Sequence, residues 1–129
     1  MTNRWSGVTI DCLDPRRLAR FWSALLGREE GPTEPGWVYL GHRDDVLPRL
    51  VFQPVPERKE GKTRIHLDVV VDDISAGIEE VVSLGGSFTG ERHDYDEGVV
   101  VVMTDPEGNE FCLAQYYGGD QSRVVRKPG

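Results

Sequence analysis

The chain has 129 residues, 38% of them hydrophobic, and a formal net charge of −7. This is enough for one domain with a packed core, and the acidic balance argues against a nucleic-acid partner. A mean hydropathy of −0.43 without any long apolar run argues against a membrane span.

Val8, Ile10 and Cys12 alternate with Thr9 and Asp11, the pattern of a half-buried strand. Asp14 followed by Pro15 reads as a helix start, an N-cap side chain with proline in the first turn. Leu18, Phe21, Trp22, Leu25 and Leu26 then form one apolar stripe, and Gly27 stops the helix. Residues 28–34 read as a short edge strand or irregular segment, 37–40 as a strand, 42–48 as a loop and 50–55 as a strand. The charged, glycine-containing stretch 57–63 is a natural linker.

The plan then repeats at an offset of 59 residues, with Val8 over Leu67, Asp14 over Asp73 and Gly27 over Gly86. Leu67, Val69 and Val71 alternate with His66 and Asp68. Asp72 or Asp73 caps a helix with the stripe Ile74, Ile78, Val81 and Val82, stopped by Gly85 and Gly86. Strands follow at 87–93, 99–104 and 110–116, the last after the turn Asp105-Pro106-Glu107-Gly108-Asn109, which is assigned no chemistry. The reading is therefore βαβββ twice: module one over about 5–56, module two over about 64–117, and a loosely ordered tail over 118–129, all in one domain. If the apolar side of each first strand covers its own helix, Thr9, Asp11, His66 and Asp68 face the other way, into a concave space.

The segments VTIDCLDPRRLARFWSALLG, IHLDVVVDDISAGIEEVVSLGG and TDPEGNEFCLAQ resemble the vicinal oxygen chelate superfamily, in its glyoxalase-like and bleomycin-resistance-like branch. The resemblance spans nearly all of the chain from Gly7 to Gln115. It implies an α+β fold in which two paired βαβββ modules form an open, cup-shaped barrel of mixed sheet with the helices outside. It also implies four metal-ligand places, which fall here on Gly7, Gln53, His66 and Cys112. Glycine offers no side chain, glutamine is a weak neutral donor, and cysteine stands in the usual glutamate position, two residues from Glu110. The expectation is no metal and no cofactor; if a metal binds, His66, Gln53 and Cys112 are its ligands, with Asp11 or Asp68 as substitutes.

Several side chains admit two readings. His66 is a ligand or general base, or else a hydrogen-bonded inner-face histidine. Asp11 and Asp68 form a carboxylate pair sharing a proton, or each finds a separate partner. Cys112 is a nucleophile or inert packing. Trp5 and Trp37 are candidates for stacking on a planar guest, whereas Trp22 belongs to the core. His42 and His93 read as solvated. The ligand-binding set is thus Asp11, Trp37, Gln53, His66, Asp68 and Cys112, with no catalytic residue assigned.

The expected function is binding of a small organic ligand, with sequestration of a toxic or antibiotic compound implied by the resemblance. The alternative is a lyase, isomerase or dioxygenase with a rearranged metal site around His66, and a third reading is a structural dimer. A homodimer is expected because family members commonly cover their open edges with a second copy; the Val124-Val125 pair adds to this. No signal segment precedes Gly7 and two cysteines, Cys12 and Cys112, make no disulfide framework, so a cytoplasmic location is expected.

Overall fold

Both helices start on the chemistry that the sequence carries. In the computed structural model, which describes residues 4–31 and 34–118, the Asp14 carboxylate accepts from the Arg17 N–H at 3.2 Å and Pro15 takes the first helical position of α1 (Pro15–Leu26). Gly27 closes α1 in the left-handed conformation, φ 66°. Asp73, rather than Asp72, caps α2 (Ile74–Ser83), accepting from the Ala76 N–H at 2.9 Å.

The strands are β1 (Gly7–Cys12), β2 (Val38–Leu40), β3 (Arg49–Pro54), β4 (Asp68–Val70), β5 (Ser87–Tyr95), β6 (Gly98–Thr104) and β7 (Glu110–Tyr116). They form two open mixed sheets, ordered β1-β3-β2 and β4-β7-β6-β5. In each, the first and last strands of a module pair in parallel, Gly7 opposite Arg49 and Asp68 opposite Cys112. This is the α+β architecture expected, two open sheets in a cup-like arrangement with no closed barrel.

The two halves are not equal. Module two has all three strands after its helix, whereas in module one the first of the three is reduced to the isolated bridges Glu30↔Leu40 and Glu34↔Trp37. The segment is charged and rich in glycine and proline, a poor match for a pleated, half-buried surface. A second difference concerns α2. Ile74 and Val81 are buried as expected, but Val82 is 51% exposed. Gly77 takes its place: a Cβ there would lie 3.2 Å from Val71 and 3.3 Å from Leu113, so the helix lies close on the sheet along that side and Val82 turns to solvent.

One apolar cluster joins both modules. Phe21 and Trp22 of α1 meet Phe111 of β7 edge-on, with ring centroids 6.0 and 4.8 Å apart. The turn before β7 fastens this junction. Asp105, the buried charged residue among those described, accepts from Trp22 Nε1 at 3.1 Å, from the Glu107 and Asn109 N–H groups and from the Asn109 amide. Burial pushes its carboxyl pKa up, while the bonds from Asn109, Trp22 and Glu107 pull it down. Glu107 accepts from the Leu13 and Asp14 N–H groups at 2.8 and 2.7 Å, so module two satisfies orphan donors at the start of module one's helix. Trp22 is core, 2% exposed. No helix among the described residues is long and apolar enough to cross a membrane. Most of the tail, residues 119–129 with Val124 and Val125, lies outside the described residues.

Candidate functional site

Strand alternation leaves one side of both sheets without a covering helix. On β1, Ile10 and Cys12 turn to the core while Thr9 and Asp11 are exposed. On β7, Phe111 and Leu113 are buried under the helices, and Glu110 and Cys112 project the other way. His66 precedes β4 and shares this bare side with Asp68.

Three side chains of module two converge there. His66 Nδ1 lies 3.1 Å from Asp68 Oδ1, and donor atoms of His66, Asp68 and Cys112 all lie within 4.8 Å of one another. The carboxylate only accepts, so the pair becomes an ion pair when the ring is protonated. Burial first, and then the charge of Asp68, push the Cys112 thiol pKa up. A thiol held protonated is a poor nucleophile, which favours the packing reading of Cys112. The other free cysteine is pushed up further, to about 12, chiefly by burial.

A cavity of about 700 Å³ opens at the module junction, between β1 and the chain leading into β4. Trp5, Thr9 and Asp11 line it from module one, His66 and Glu110 from module two, and Trp22 and Phe111 lie at its base. The linker passes over it and is pinned by Glu110, which accepts from the Thr63 N–H at 2.8 Å and pairs with Lys59 at 3.3 Å. Desolvation works against the ionised form of Glu110, yet the Thr63 and Lys59 bonds outweigh it and hold the carboxyl down at about 2.

The expected site residues are therefore brought together in part. Asp11 and His66 share the junction cavity, and Asp68 and Cys112 cluster with His66. Asp68 is partnered by His66 and not by Asp11. Gln53 stands beside Asp11 in the first sheet, its register partner across the parallel pair. Trp37 lies elsewhere, in a groove of about 720 Å³ against the start of α1 with Arg16 and Arg20, while Trp5 reaches the junction cavity.

One pair escapes the sequence reading. On β5, His93 Nε2 lies 2.7 Å from Glu91 Oε2, and the Tyr95 ring stacks against His93 with centroids 6.4 Å apart. His93 is opposite Val100, which is opposite Ala114, which is opposite Val70, so His93 faces the same bare side as Asp68 and Cys112. Read alone, His93 looks like a solvated strand end. The usable signal was the spacing of two in Glu91-Arg92-His93, matching His66-Leu67-Asp68.

The metal-ligand positions implied by the resemblance do not form a metal centre here. A Cβ on Gly7 would lie 2.6 Å from the Arg49 carbonyl oxygen, so the backbone leaves no room for a side-chain donor. Gln53 is a weak neutral donor in the first sheet and Cys112 stands where the family has a carboxylate, which leaves His66 as the one ordinary ligand among the four places. The residues present do not fit the family's four-ligand site.

The glyoxalase-like domain family model matches residues 7–114. Among solved structures, a glyoxalase/bleomycin resistance protein/dioxygenase family enzyme from Burkholderia phytofirmans PsJN is similar over 89% of this chain and 100% of its own, with 17% identity and a TM-score of 0.75. The fosfomycin resistance protein FosX from Listeria monocytogenes is similar over 98% of this chain and 100% of its own, with 17% identity and a TM-score of 0.70. An oxidase, ChaP-H2, is similar over 93% and 98%, with 18% identity and a TM-score of 0.66. At these identities the likeness is one of fold. No curated protein sequence matches the chain.

Proposed function

We propose that this chain, which belongs to the glyoxalase-like domain family within the vicinal oxygen chelate superfamily, binds a small planar organic molecule on the bare side of its sheets and needs no metal to do so. The observation that carries this is the junction cavity, which Asp11 and His66 enter from the bare side of opposite modules and which reaches in to the core rings of Trp22 and Phe111. Its volume of about 700 Å³ is that of a pocket for a drug-sized guest, with apolar bulk and a few placed polar groups. We read the protein's role as protective, by analogy with the fosfomycin resistance proteins that share the fold, and its location as cytoplasmic.

The rival is an enzyme with a rearranged metal site, favoured by the closeness of the His66, Asp68 and Cys112 donors. Elemental analysis of protein purified without chelator separates the two. Substoichiometric divalent metal is expected; a ratio near one, lost in His66→Ala, supports the rival. We further propose a homodimer, supported by the free edges of both sheets and by exposed Val46, Leu47 and Ile65. Light scattering at micromolar concentration is expected to give twice the 14.5 kDa chain mass, and a monomer mass throughout contradicts it.

A further inference from the structure

The bare face of the second sheet carries two histidine–carboxylate pairs, at opposite edges. His66–Asp68 sits on the β4 side and Glu91–His93 on β5, with β7 and β6 between them. Three strand spacings separate the edges, about 14 Å measured along the sheet. The floor between them is apolar, with Val102 opposite Cys112 and Val100 opposite Ala114. The two pairs are electrostatically in reach of one floor: the charge of Glu91 as well as that of Asp68 acts on the Cys112 thiol.

Each pair sets an exposed carboxylate beside an imidazole: Glu91 accepts from His93 Nε2 at 2.7 Å, and Asp68 Oδ1 lies 3.1 Å from His66 Nδ1. Both walls therefore offer acceptors. The charges nearby are also negative in excess. Asp11, Asp68, Glu91 and Glu110 stand against Arg58, Lys59 and Lys62 of the linker, of which Lys59 is taken by Glu110 and Lys62 acts on the Cys112 thiol against the two carboxylates. An anion entering here meets carboxylates. A neutral guest bearing hydroxyl or amino hydrogens meets partners at both ends and apolar contact between.

We propose that the site extends from the junction cavity at His66 across the bare face of the second sheet, with Glu91–His93 as its second polar wall, and that with His66–Asp68 this wall selects aromatic molecules at least two rings long carrying hydrogen-bond donors at both ends. The stacked Tyr95 ring extends that wall with a flat aromatic surface. The proposal rests on the reading of the bare face as a ligand site and adds the ligand class and the residues that choose it.

The test uses the full-length protein and three probes: a naphthalenediol with its hydroxyls at opposite ends, the corresponding dimethyl ether, and a naphthalene disulfonate. Affinities are measured for the wild type, His66→Gln and His93→Gln; both side chains are exposed, and a melting curve checks that each variant folds. The diol is expected to bind, the ether about tenfold more weakly and the disulfonate not at all. His93→Gln is expected to weaken the diol by about three- to tenfold, the loss of one net hydrogen bond, and to leave the ether unchanged. If only His66→Gln weakens the diol, the second wall is wrong while the ligand site stands. If neither substitution matters, the bare face is not the site and the functional reading falls as well. Disulfonate binding at or above the affinity of the diol, or no binding of any probe, overturns the proposed ligand class.

Discussion

Two aspartates of module two mark the contrast between the helix side of the junction and the bare side of the sheets. Asp105 is 3% exposed and accepts from Trp22, Glu107 and Asn109, the last through both backbone and side chain. The Asp68 side chain is 68% exposed and has a histidine for its ion-pair partner. The residue type is the same; the number of donors around it differs. A carboxylate whose lone pairs are filled from within the chain fixes the fold, and one with capacity to spare is free to meet a guest.

The sharpest way to break this comparison is to delete both carboxylates. Asp105→Ala leaves buried donors on Trp22 and Asn109 without an acceptor and is expected to cost about 3 kcal/mol in chemical denaturation. Asp68→Ala is expected to cost under ~0.5 kcal/mol, as exposed polar changes do. Equal losses would remove the distinction.

Glu107→Ala comes next. It strips two acceptor bonds from the start of α1 and is expected to cost about 1–2 kcal/mol, the scale of a lost helix cap, although residue and helix belong to different modules. A loss confined to module two, seen as hydrogen exchange rising in β6 and β7 but not in α1, would contradict the clamp.

Glu110 lies between the two regimes, on the bare side yet tied to the linker. Its carboxyl is held down at about 2 against an ordinary 4.5, so its contribution is present above pH 4.5 and lost as pH falls toward 2. The melting-temperature gap between wild type and Glu110→Gln should therefore be widest above pH 5 and close on acidification. A gap independent of pH would mean that the Thr63 and Lys59 contacts do not favour the ionised form. The smallest effect is expected from Cys112→Ser. With its thiol pushed up rather than activated, the change should leave both stability and diol affinity nearly unaltered, and a large loss of affinity would give the sulfur a role it lacks here.

The repeat, the Asp14 cap, the sequence of elements along the chain and the bare polar face were legible because each rests on local chemistry, whereas the second cap stayed open between Asp72 and Asp73 and the order of strands in each sheet was not read at all. The missing strand of module one was half legible, since the segment's charge and glycine content weakened it without deciding its fate. What local pattern does not contain is which distant donors meet. Asp105-Pro106-Glu107-Gly108-Asn109 reads as a turn and nothing more until Trp22 and the Leu13 and Asp14 amides are brought to it across about 90 residues. His93 was missed for the same reason, because only the registers through Val100 and Ala114 align it with Asp68. Trp37 was placed with the site by residue type, and the turn before β2 carries it to the groove beside α1.

The central claim is that the bare face binds a planar organic guest without metal. Titrating the naphthalenediol into labelled protein, with and without chelator, and following backbone amide shifts tests it most directly. The account predicts shifts at Asp11, His66, Asp68, Val102 and Cys112 that chelator leaves unchanged. Shifts confined to the groove of Trp37, Arg16 and Arg20, or binding abolished by chelator, would contradict it.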